Sequence, residues 1–351
     1  MSLSGNQQPT EIPPKRIHPN ANPSENGQEL TTKQQRNYQV FPGRNLFFCW
    51  GRLMTSRAYW AFFIALLILF VPSALFFAFT CPWLWSNLHP VVPIVFAYLF
   101  ILAFASMLKT SWTDPGIIPR NLHPTNLNNA NWNNEYGTAY DDMWPTNPPM
   151  PREVIVNGQV VRLKYCDTCQ LYRPPRASHC RQCDNCVEME DHHCIWLNNC
   201  IGRRNYRSFF VFVVVATIMC LYAFAFSFVH VYYLYNQSDP KSFVDALATA
   251  PLSFVVFVLC FLFLWSVGGL SVYHCWLVMR NVTTHEQLRD SVMSHHRPPN
   301  PFSFGNIAHN LWYVLCRPQP KSYIARRKNY APPFYPNPNS GHELAPAWNY
   351  P

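Results

Sequence analysis

Ten cysteine and histidine side chains fall within residues 166–200 of this 351-residue chain. They are Cys166, Cys169, His179, Cys180, Cys183, Cys186, His192, His193, Cys194 and Cys200. The Cys-x2-Cys pairs at 166/169 and 180/183 have the spacing of loops that hold zinc. A disulfide framework is the alternative, but an odd number of cysteines would leave one unpaired. The pattern therefore predicts a zinc-binding domain.

Two closed tetrahedral zinc sites would use eight of these ten side chains and leave two over. Because an irregular segment of this length has little apolar core, metal binding would supply much of its folding free energy. Spacing alone does not decide which two side chains are spare. The run Asp191-His192-His193-Cys194 suggests an answer. Adjacent histidines cannot readily serve one metal, so one of them could bind zinc while the other pairs with the free thiol.

A thiol beside a histidine beside an aspartate has the parts of an activated nucleophile. The histidine accepts the thiol proton, and the aspartate orients the histidine and stabilises its imidazolium form. Cys194 also lies 14 residues before a long apolar run, which places it near a membrane surface. The matching chemistry is thioester exchange with a long-chain acyl-CoA, whose head group is in water and whose chain is in the bilayer. Exchange between thiols is nearly isoenergetic, so the acyl group could pass on to another cysteine.

Long apolar runs must hold this site at the membrane. Charged residues make up only 13% of the chain and the mean hydropathy is −0.08, so apolar blocks must alternate with uncharged polar blocks. Four runs contain no Asp, Glu, Lys or Arg, and each reaches the ~18–20 residues needed to cross the hydrocarbon. They are Ala58–Phe79, Val91–Leu108, Ser208–Tyr235 and Leu252–Met279. The predicted fold class is a membrane all-α protein with four transmembrane helices.

Lysine and arginine are distributed unevenly between the loops. Residues 1–57 carry seven, residues 109–207 eleven and residues 280–351 eight, whereas loops 80–90 and 236–251 carry none and one. Positive loops face the cytosol, so both termini and the central loop are predicted to be cytosolic. The reducing cytosol again disfavours disulfides. Topology and anionic lipid account for the net charge of +9, and nucleic acid is not predicted as a partner.

These patterns divide the chain into five segments. They are a cytosolic, disordered N-terminal tail (1–57), transmembrane helices 1 and 2 (58–108), a cytosolic loop (109–207) with the cysteine-rich zinc domain at about 164–207, transmembrane helices 3 and 4 (208–279), and a cytosolic C-terminal tail (280–351). Within the loop, residues 120–152 look like an Asn- and Pro-rich linker. Two β-prone runs that flank Asn157-Gly158 predict a hairpin over residues 153–163.

The segment from Cys166 to Tyr206 resembles the cysteine-rich domain of the DHHC protein S-acyltransferases, or palmitoyltransferases. Asp191-His192-His193-Cys194 is the tetrapeptide that names that family. Further matching motifs are Asp114-Pro115-Gly116, Thr283-Thr284-His285-Glu286, and residues 300–306 with Asn310 and Cys316 beyond. The last element and the stretch Arg173–Cys180 resemble the subfamily that acylates Ras, particularly its fungal members. The resemblance covers about residues 45–330.

The resemblance implies a role for each side chain of the cluster. One zinc ion would be held by Cys166, Cys169, His179 and Cys186, and the other by Cys180, Cys183, His193 and Cys200. His192 would be the general base, Asp191 its partner, and Cys194 the nucleophile that accepts the acyl group. His192 and Cys194 are then the spare pair, in agreement with the ligand count. Ile195 stands where many members have proline after the tetrapeptide, although isoleucine occurs in fungal relatives.

The resemblance implies a protein S-palmitoyltransferase with two structural zinc ions and palmitoyl-CoA as the acyl donor. Its substrates would be cysteine-bearing, membrane-associated proteins such as Ras-like small GTPases, and an accessory subunit could assist it. Its compartment would be the endoplasmic reticulum, with the Golgi as the alternative. Two other functions compete: a membrane-bound zinc scaffold without turnover, and a ubiquitin-ligase-like adaptor. A scaffold needs no spare thiol, and the short interleaved ligand spacing argues against the adaptor.

Two groups of arginines are candidates for contacts with anions. Arg173 and Arg176 precede the second zinc cluster and could grip the phosphates of CoA. Arg203, Arg204 and Arg207 stand at the start of the third apolar run and are predicted to be lipid or topology anchors.

Overall fold

The structure is a computed structural model that describes residues 34–123, 151–293 and 300–330. For residues 290–293 only the backbone is described. Within these ranges, four helical stretches are long and apolar enough to cross a membrane. They are Trp60–Asn87, Val91–Trp112, Tyr206–Gln237 and Pro251–Arg280, here called the first to fourth spans. The predicted four-helix membrane class is confirmed, although the helix ends differ from the predicted ones. The first span, for example, continues past Phe79 to Asn87.

The first and fourth spans each contain a π-helical turn. The first span consists of α1 (Trp60–Leu75), a π-helical turn (Phe76–Thr80) and α2 (Cys81–Asn87). The second and third spans are α3 (Val91–Trp112) and α4 (Tyr206–Gln237), and a short α5 (Phe243–Thr249) follows. The fourth span consists of α6 (Pro251–Phe263), a π-helical turn (Leu264–Gly268) and α7 (Gly269–Arg280). Pro72, which has no N–H to donate, precedes the first of these turns.

The third span is central to the bundle, since α4 packs against both α3 and α6. Buried side chains of this core include Phe76, Phe96, Met107 and Phe209. Lipid is as apolar as these side chains, so packing and interhelical hydrogen bonds hold the spans together. Ser253 Oγ, for example, lies 2.9 Å from Thr80 Oγ1 and 2.9 Å from His230 Nδ1. These contacts join the first, third and fourth spans.

The described parts outside the spans are built largely from short antiparallel hairpins. The pairs are β1 (Leu46–Phe48) with β2 (Leu53–Thr55), β3 (Arg152–Val156) with β4 (Gln159–Leu163), β5 (Tyr165–Cys166) with β6 (Leu171–Tyr172), β7 (Ser178–Cys180) with β8 (Asn185–Val187), and β9 (His192–Cys194) with β10 (Asn199–Ile201). The hairpin predicted around Asn157-Gly158 is confirmed, and both turn residues have positive φ, 47° and 76°. The cysteine segment, expected to be irregular, instead forms three hairpins.

Two further helices follow the fourth span: α8 (Thr284–Met293) and α9 (Ile307–Leu315). The predicted C-terminal tail therefore contains ordered structure over much of its described part. The N-terminal tail predicted to be disordered (1–57) contains the β1–β2 hairpin, so that prediction is wrong for residues 46–55. Residues 1–33 of this tail and most of the linker predicted at 120–152 lie outside the described residues.

Two asparagines from the loop before the third span join the zinc domain to the end of the second span. The last carbonyls of a helix have no intrahelical partner. Asn199 Nδ2 donates to the carbonyls of Thr110, Ser111 and Thr113 at 3.3, 3.2 and 2.8 Å. Asn205 Nδ2 donates to the Thr110 carbonyl at 3.2 Å. The β9–β10 hairpin, which carries the Asp-His-His-Cys run, is thereby held directly on the end of a membrane span.

Candidate metal centres and active site

The first group of metal-ligand side chains is carried by the β5–β6 and β7–β8 hairpins. Its four members, whose potential ligand atoms all lie within 4.8 Å of one another, are Cys166, Cys169, His179 and Cys186. The distances from His179 Nδ1 to the three sulfur atoms are 3.6, 3.4 and 3.8 Å. The Nε2 of His179 lies 3.5 Å from Asp184 Oδ1, a partner that turns Nδ1 toward the sulfur atoms.

The second group combines the β7–β8 hairpin with the β9–β10 hairpin. Its members, again with potential ligand atoms within 4.8 Å of one another, are Cys180, Cys183, His193 and Cys200. The distances from His193 Nδ1 to the three sulfur atoms are 3.6, 3.4 and 3.5 Å. Strand β7 thus supplies His179 to the first group and Cys180 to the second, so the two groups are interleaved along the chain.

The geometry of both groups fits zinc. With Zn–S near 2.3 Å and Zn–N near 2.0 Å, tetrahedral ligands place sulfur and nitrogen about 3.5 Å apart. The observed distances are 3.4 to 3.8 Å. Crowded thiols otherwise compete for protons: a hydrogen bond with Cys180 raises the pKa of Cys183, and one with Cys186 lowers the pKa of Cys169. Both groups are therefore able to hold a metal ion, which would ionise the thiols.

Strand β9 explains why two adjacent histidines lie in different surroundings. Successive side chains of a strand point to opposite faces. His193 faces the second metal group, whereas the ring of His192 packs against Phe209 of the third span at a centroid distance of 5.3 Å. The Nδ1 of His192 lies 2.7 Å from Asp191 Oδ2. Cys194, two residues along, lies on the same face as His192, and its thiol contributes to raising the pKa of that histidine.

Cys194 lies at the boundary between the zinc domain and the spans. Its side chain is 8% exposed and belongs to the same buried apolar cluster as Met107 and Phe209 of the second and third spans. Leu197 and Ile201 of the zinc domain belong to this cluster too. The thiol therefore has the histidine–aspartate pair on one side and the apolar interior of the bundle on the other.

Comparison with known proteins agrees with these features. A family profile described as DHHC palmitoyltransferase matches residues 159–291. Mouse palmitoyltransferase ZDHHC18 is 42% identical over 302 residues, which cover 85% of this chain and 77% of the mouse protein. The chain belongs to the DHHC palmitoyltransferase family.

Other members of the DHHC palmitoyltransferase family show similar likeness. Mouse palmitoyltransferase ZDHHC14 is 42% identical over 312 residues, which cover 87% of this chain and 62% of the mouse protein. Zebrafish palmitoyltransferase ZDHHC9 is 40% identical over 298 residues, or 85% of this chain and 76% of that protein. The chain thus spans 62% of the length of the mouse and human ZDHHC14 proteins.

The histidine–aspartate pair of this DHHC family member is electrostatically coupled. Burial would lower the pKa of His192, but the hydrogen bond with Asp191 and the neighbouring Cys194 thiol raise it to about 10. Burial would raise the pKa of Asp191. The hydrogen bond with His192, together with His274 and the Thr284 N–H, instead holds this pKa below its usual range. Both shifts favour a carboxylate beside an imidazolium. The pair is therefore suited to taking up a proton from a neighbouring thiol.

Thr284, which follows the fourth span, completes the surroundings of Asp191. The backbone N–H of Thr284 donates to Asp191 Oδ1 at 2.9 Å, and its hydroxyl donates to Oδ2 at 2.7 Å. This contact could not be predicted from the sequence, because no spacing rule relates residues that lie so far apart in the chain. A local signal was present: Thr283 and Glu286 form a capping box at the start of α8, with bonds of 2.9 and 3.2 Å. The box fixes the turn that presents Thr284.

Arg176 is bound by protein partners on every side. Its Nε and one terminal nitrogen donate to the two carboxylate oxygens of Glu286, each at 2.8 Å. The terminal nitrogens also donate to the side chain and carbonyl of Asn281, at 2.9 and 3.1 Å. The side chain is only 3% exposed. The guanidinium thus joins the zinc domain to the end of the fourth span and is not presented to a ligand. Arg173, in contrast, is half-buried and donates to the Tyr165 carbonyl at 3.4 Å.

Glu286→Gln should destabilise the protein, because Arg176 would keep a buried charge without an ionised partner. Glutamine preserves the capping box, so the variant isolates the effect of the charge. We expect the free energy of unfolding to fall by about 3 kcal/mol, measured by denaturant unfolding of the zinc-loaded protein in detergent. The control is Glu153→Gln, whose partner Arg162 is 71% exposed and which should cost less than about 1 kcal/mol. Equal losses in the two variants would contradict this assignment.

All three arginines before the third span bond to other parts of the protein. Arg204 lies 2.7 Å from Asp114 Oδ2, and Arg203 pairs with the buried Glu188. The prediction that they are lipid or topology anchors is wrong for these two side chains. Arg207 donates to the carbonyl of Arg317 and lines a basic cleft with Lys109, and its role as a lipid or topology anchor stays a prediction.

Proposed function

We propose that this chain is a protein S-palmitoyltransferase that carries a long-chain acyl group from acyl-CoA to protein cysteines through a thioester on Cys194. The observation that carries the proposal is the joint position of this thiol, beside the Asp191–His192 pair and within the apolar cluster of the spans. A zinc scaffold or adaptor would require neither. The relatives ZDHHC14 and ZDHHC18 are named palmitoyltransferases.

In this proposal the metal ions have a structural role. The eight Cys and His ligands of the two groups would hold one zinc ion each and provide most of the stability of the small hairpins that carry them. His193, a ligand of the second group, lies between His192 and Cys194 in β9, so folding around zinc sets the spacing of the reactive side chains. Neither zinc ion takes part in the chemical steps.

The first step is acylation of Cys194. Because Nδ1 of His192 is bonded to Asp191, its Nε2 is the nitrogen free to accept the thiol proton. The thiolate then attacks the thioester carbonyl of acyl-CoA, a new carbon–sulfur bond forms, and the bond to the CoA sulfur breaks. The CoA thiolate leaves and takes the proton from the His192 imidazolium. Asp191 remains a carboxylate throughout and stabilises the imidazolium.

The second step repeats this exchange in the opposite direction. The thiol of a substrate cysteine gives its proton to His192 and attacks the acyl carbonyl on Cys194. The Cys194 thiolate leaves and recovers the proton from His192. The total number of thioesters is unchanged, so no energy source beyond the acyl-CoA thioester is needed.

We propose that the acyl chain lies among the spans, which leaves the CoA head group on the zinc-domain side. Arg173 is the arginine of the predicted pair that is free to meet a CoA phosphate, because Arg176 is fully occupied by Glu286 and Asn281. The backbone N–H of Arg173 donates to the carbonyl of Lys164 at 2.9 Å. A second cationic residue, Lys164, therefore lies beside Arg173. Charge-assisted contacts from these side chains suit a phosphate.

We further propose Ras-like small GTPases as substrates and an accessory subunit as partner. The support is the resemblance of residues 300–306 and Arg173–Cys180 to the Ras-acylating subfamily. The proposed compartment is the endoplasmic reticulum or the Golgi, with the zinc domain and both termini in the cytosol. The support for this orientation is the lysine and arginine distribution.

Labelling with palmitoyl-CoA tests the proposed activity. The full-length, zinc-loaded chain in detergent is incubated with radiolabelled palmitoyl-CoA and then with a prenylated Ras-tail peptide that contains a cysteine. We expect hydroxylamine-sensitive label on the protein, followed by its transfer to the peptide, and no transfer to a peptide with serine in place of cysteine. Transfer only to other cysteine peptides would overturn the substrate proposal alone. A protein that takes no label, even when co-expressed with partner subunits, would contradict the enzymatic function.

The proposed orientation predicts which cysteines a membrane-impermeant maleimide reaches. Cys49 and Cys316 are exposed and lie on the sides of the spans predicted to be cytosolic. In sealed microsomes with the cytosolic face outward, both should react without detergent. A cysteine introduced as Lys241→Cys, in the short loop before the fourth span, should react only after detergent is added. The reverse pattern would overturn the orientation.

A further inference from the structure

A second histidine lies next to the proposed active site, within the fourth span. His274 belongs to α7 and is only 2% exposed. Ionisable side chains in membrane spans are costly, so those that occur are usually paired or functional. Neither the metal groups nor the two proposed chemical steps use His274.

The contacts of His274 lead to the Asp191–His192 pair. One ring nitrogen of His274 lies within 4.8 Å of an Asp191 oxygen and of a His192 nitrogen. The ring of Phe209 packs edge-on against both histidines, with centroid distances of 4.8 Å to His274 and 5.3 Å to His192. The Nδ1 of His274 is 3.1 Å from Tyr206 Oη, so the third span fixes the orientation of its ring.

Asp191 therefore has polar neighbours from two different elements. Thr284 of α8 donates two hydrogen bonds to its carboxylate, whereas His274 of α7 lies at a distance that a single bridging water can span. Asp191 is almost fully buried, and in such surroundings a polar ring a few ångströms away acts more strongly on a carboxylate than it would in water.

We propose that His274, held by Tyr206, is a positioning residue for the Asp191–His192 pair. It would orient the Asp191 carboxylate through its ring nitrogen and the His192 ring through the shared Phe209 contact. His274 gains and loses no proton in the reaction. This inference rests on the proposed acyltransfer function. The alternative is a purely structural tie between the third and fourth spans, which would affect folding but not the acylation rate of the folded protein.

Single-turnover self-acylation with palmitoyl-CoA measures the effect. For His274→Asn we expect the rate constant to fall about 10-fold, as is typical when a partner of a reactive group is lost, with an unchanged apparent KM for palmitoyl-CoA and two zinc ions per chain. Tyr206→Phe removes one hydroxyl and should give a smaller loss. The matched control is His230→Asn, a buried histidine of the third span that bonds to Ser253. It should keep the wild-type rate.

The decisive comparison combines His274→Asn with His192→Ala. If His274 acts through His192, the double variant should be no slower than His192→Ala alone. Losses that multiply would mean that His274 acts independently of His192, and a structural tie predicts no rate loss for His274→Asn in the folded protein. A wild-type protein that takes no label would overturn the proposed function itself. A labelled wild type with a fully active His274→Asn variant, or with multiplying losses, would overturn only this inference.

Discussion

Cys194→Ser should abolish self-acylation and transfer, and should leave two zinc ions per chain. Among the seven cysteines of the zinc domain, Cys194 is the one outside both metal groups, so its loss removes no ligand. Serine keeps the size of the side chain, but a hydroxyl is far harder to ionise than a thiol, and the exchange cannot begin. Hydroxylamine-sensitive labelling with palmitoyl-CoA and metal analysis of the purified proteins measure both effects.

Cys81→Ser is the matched control for this substitution. Cys81 is buried, belongs to the same apolar cluster as Cys194, and lies outside both metal groups. We expect this variant to take up label as the wild type does. The proposed role of Cys194 fails if Cys194→Ser still turns over, or if it loses zinc and label together.

His193→Ala and His192→Ala should separate metal binding from catalysis, although the residues are adjacent. His193→Ala removes a ligand whose Nδ1 faces three sulfur atoms, so the variant should bind less zinc and unfold at a lower temperature. His192→Ala removes the proposed base and should keep two zinc ions, with acylation slowed ~10²–10⁴-fold. Zinc content, thermal unfolding in detergent and single-turnover labelling give the comparison. Equal loss of metal in both variants would refute this division of roles.

Zinc binding could be predicted from local spacing, whereas the division of the ligands into two groups followed from the family resemblance. Each Cys-x2-Cys pair places two sulfur atoms in one tight turn, and the histidine of each group follows its pair by ten residues. The four apolar runs likewise predict the spans, because a helix that crosses the hydrocarbon must be long and must lack charged residues. The Asn157-Gly158 turn was readable for a similar local reason.

Contacts between distant segments could not be read from the sequence. Thr284 reaches Asp191 only because the end of the fourth span lies beside β9, and no spacing rule reports that arrangement. Arg176 looks like a phosphate ligand in the sequence, but Glu286 and Asn281 occupy its donors once the chain has folded. The position of His274 within an apolar run does not predict which residues its side chain contacts.

The different surroundings of His192 and His193 could be predicted only in part from the sequence. Their adjacency indicated that they could not readily share one metal, but the segment was expected to be irregular. Once His192–Cys194 is known to be a strand, side-chain alternation sends His193 to one face and both His192 and Cys194 to the other.

Mapping the acyl group by mass spectrometry tests the central claim most directly. The zinc-loaded wild-type protein is incubated with palmitoyl-CoA in the absence of acceptor, digested under conditions that preserve thioesters, and its cysteine peptides are examined before and after hydroxylamine. We expect a palmitoyl thioester on the peptide that contains Cys194, formed at a rate that falls in His192→Ala, with the eight metal-ligand side chains unmodified. An unmodified Cys194 in a folded protein with two zinc ions, or acylation confined to other cysteines, would contradict the proposed acyltransferase mechanism.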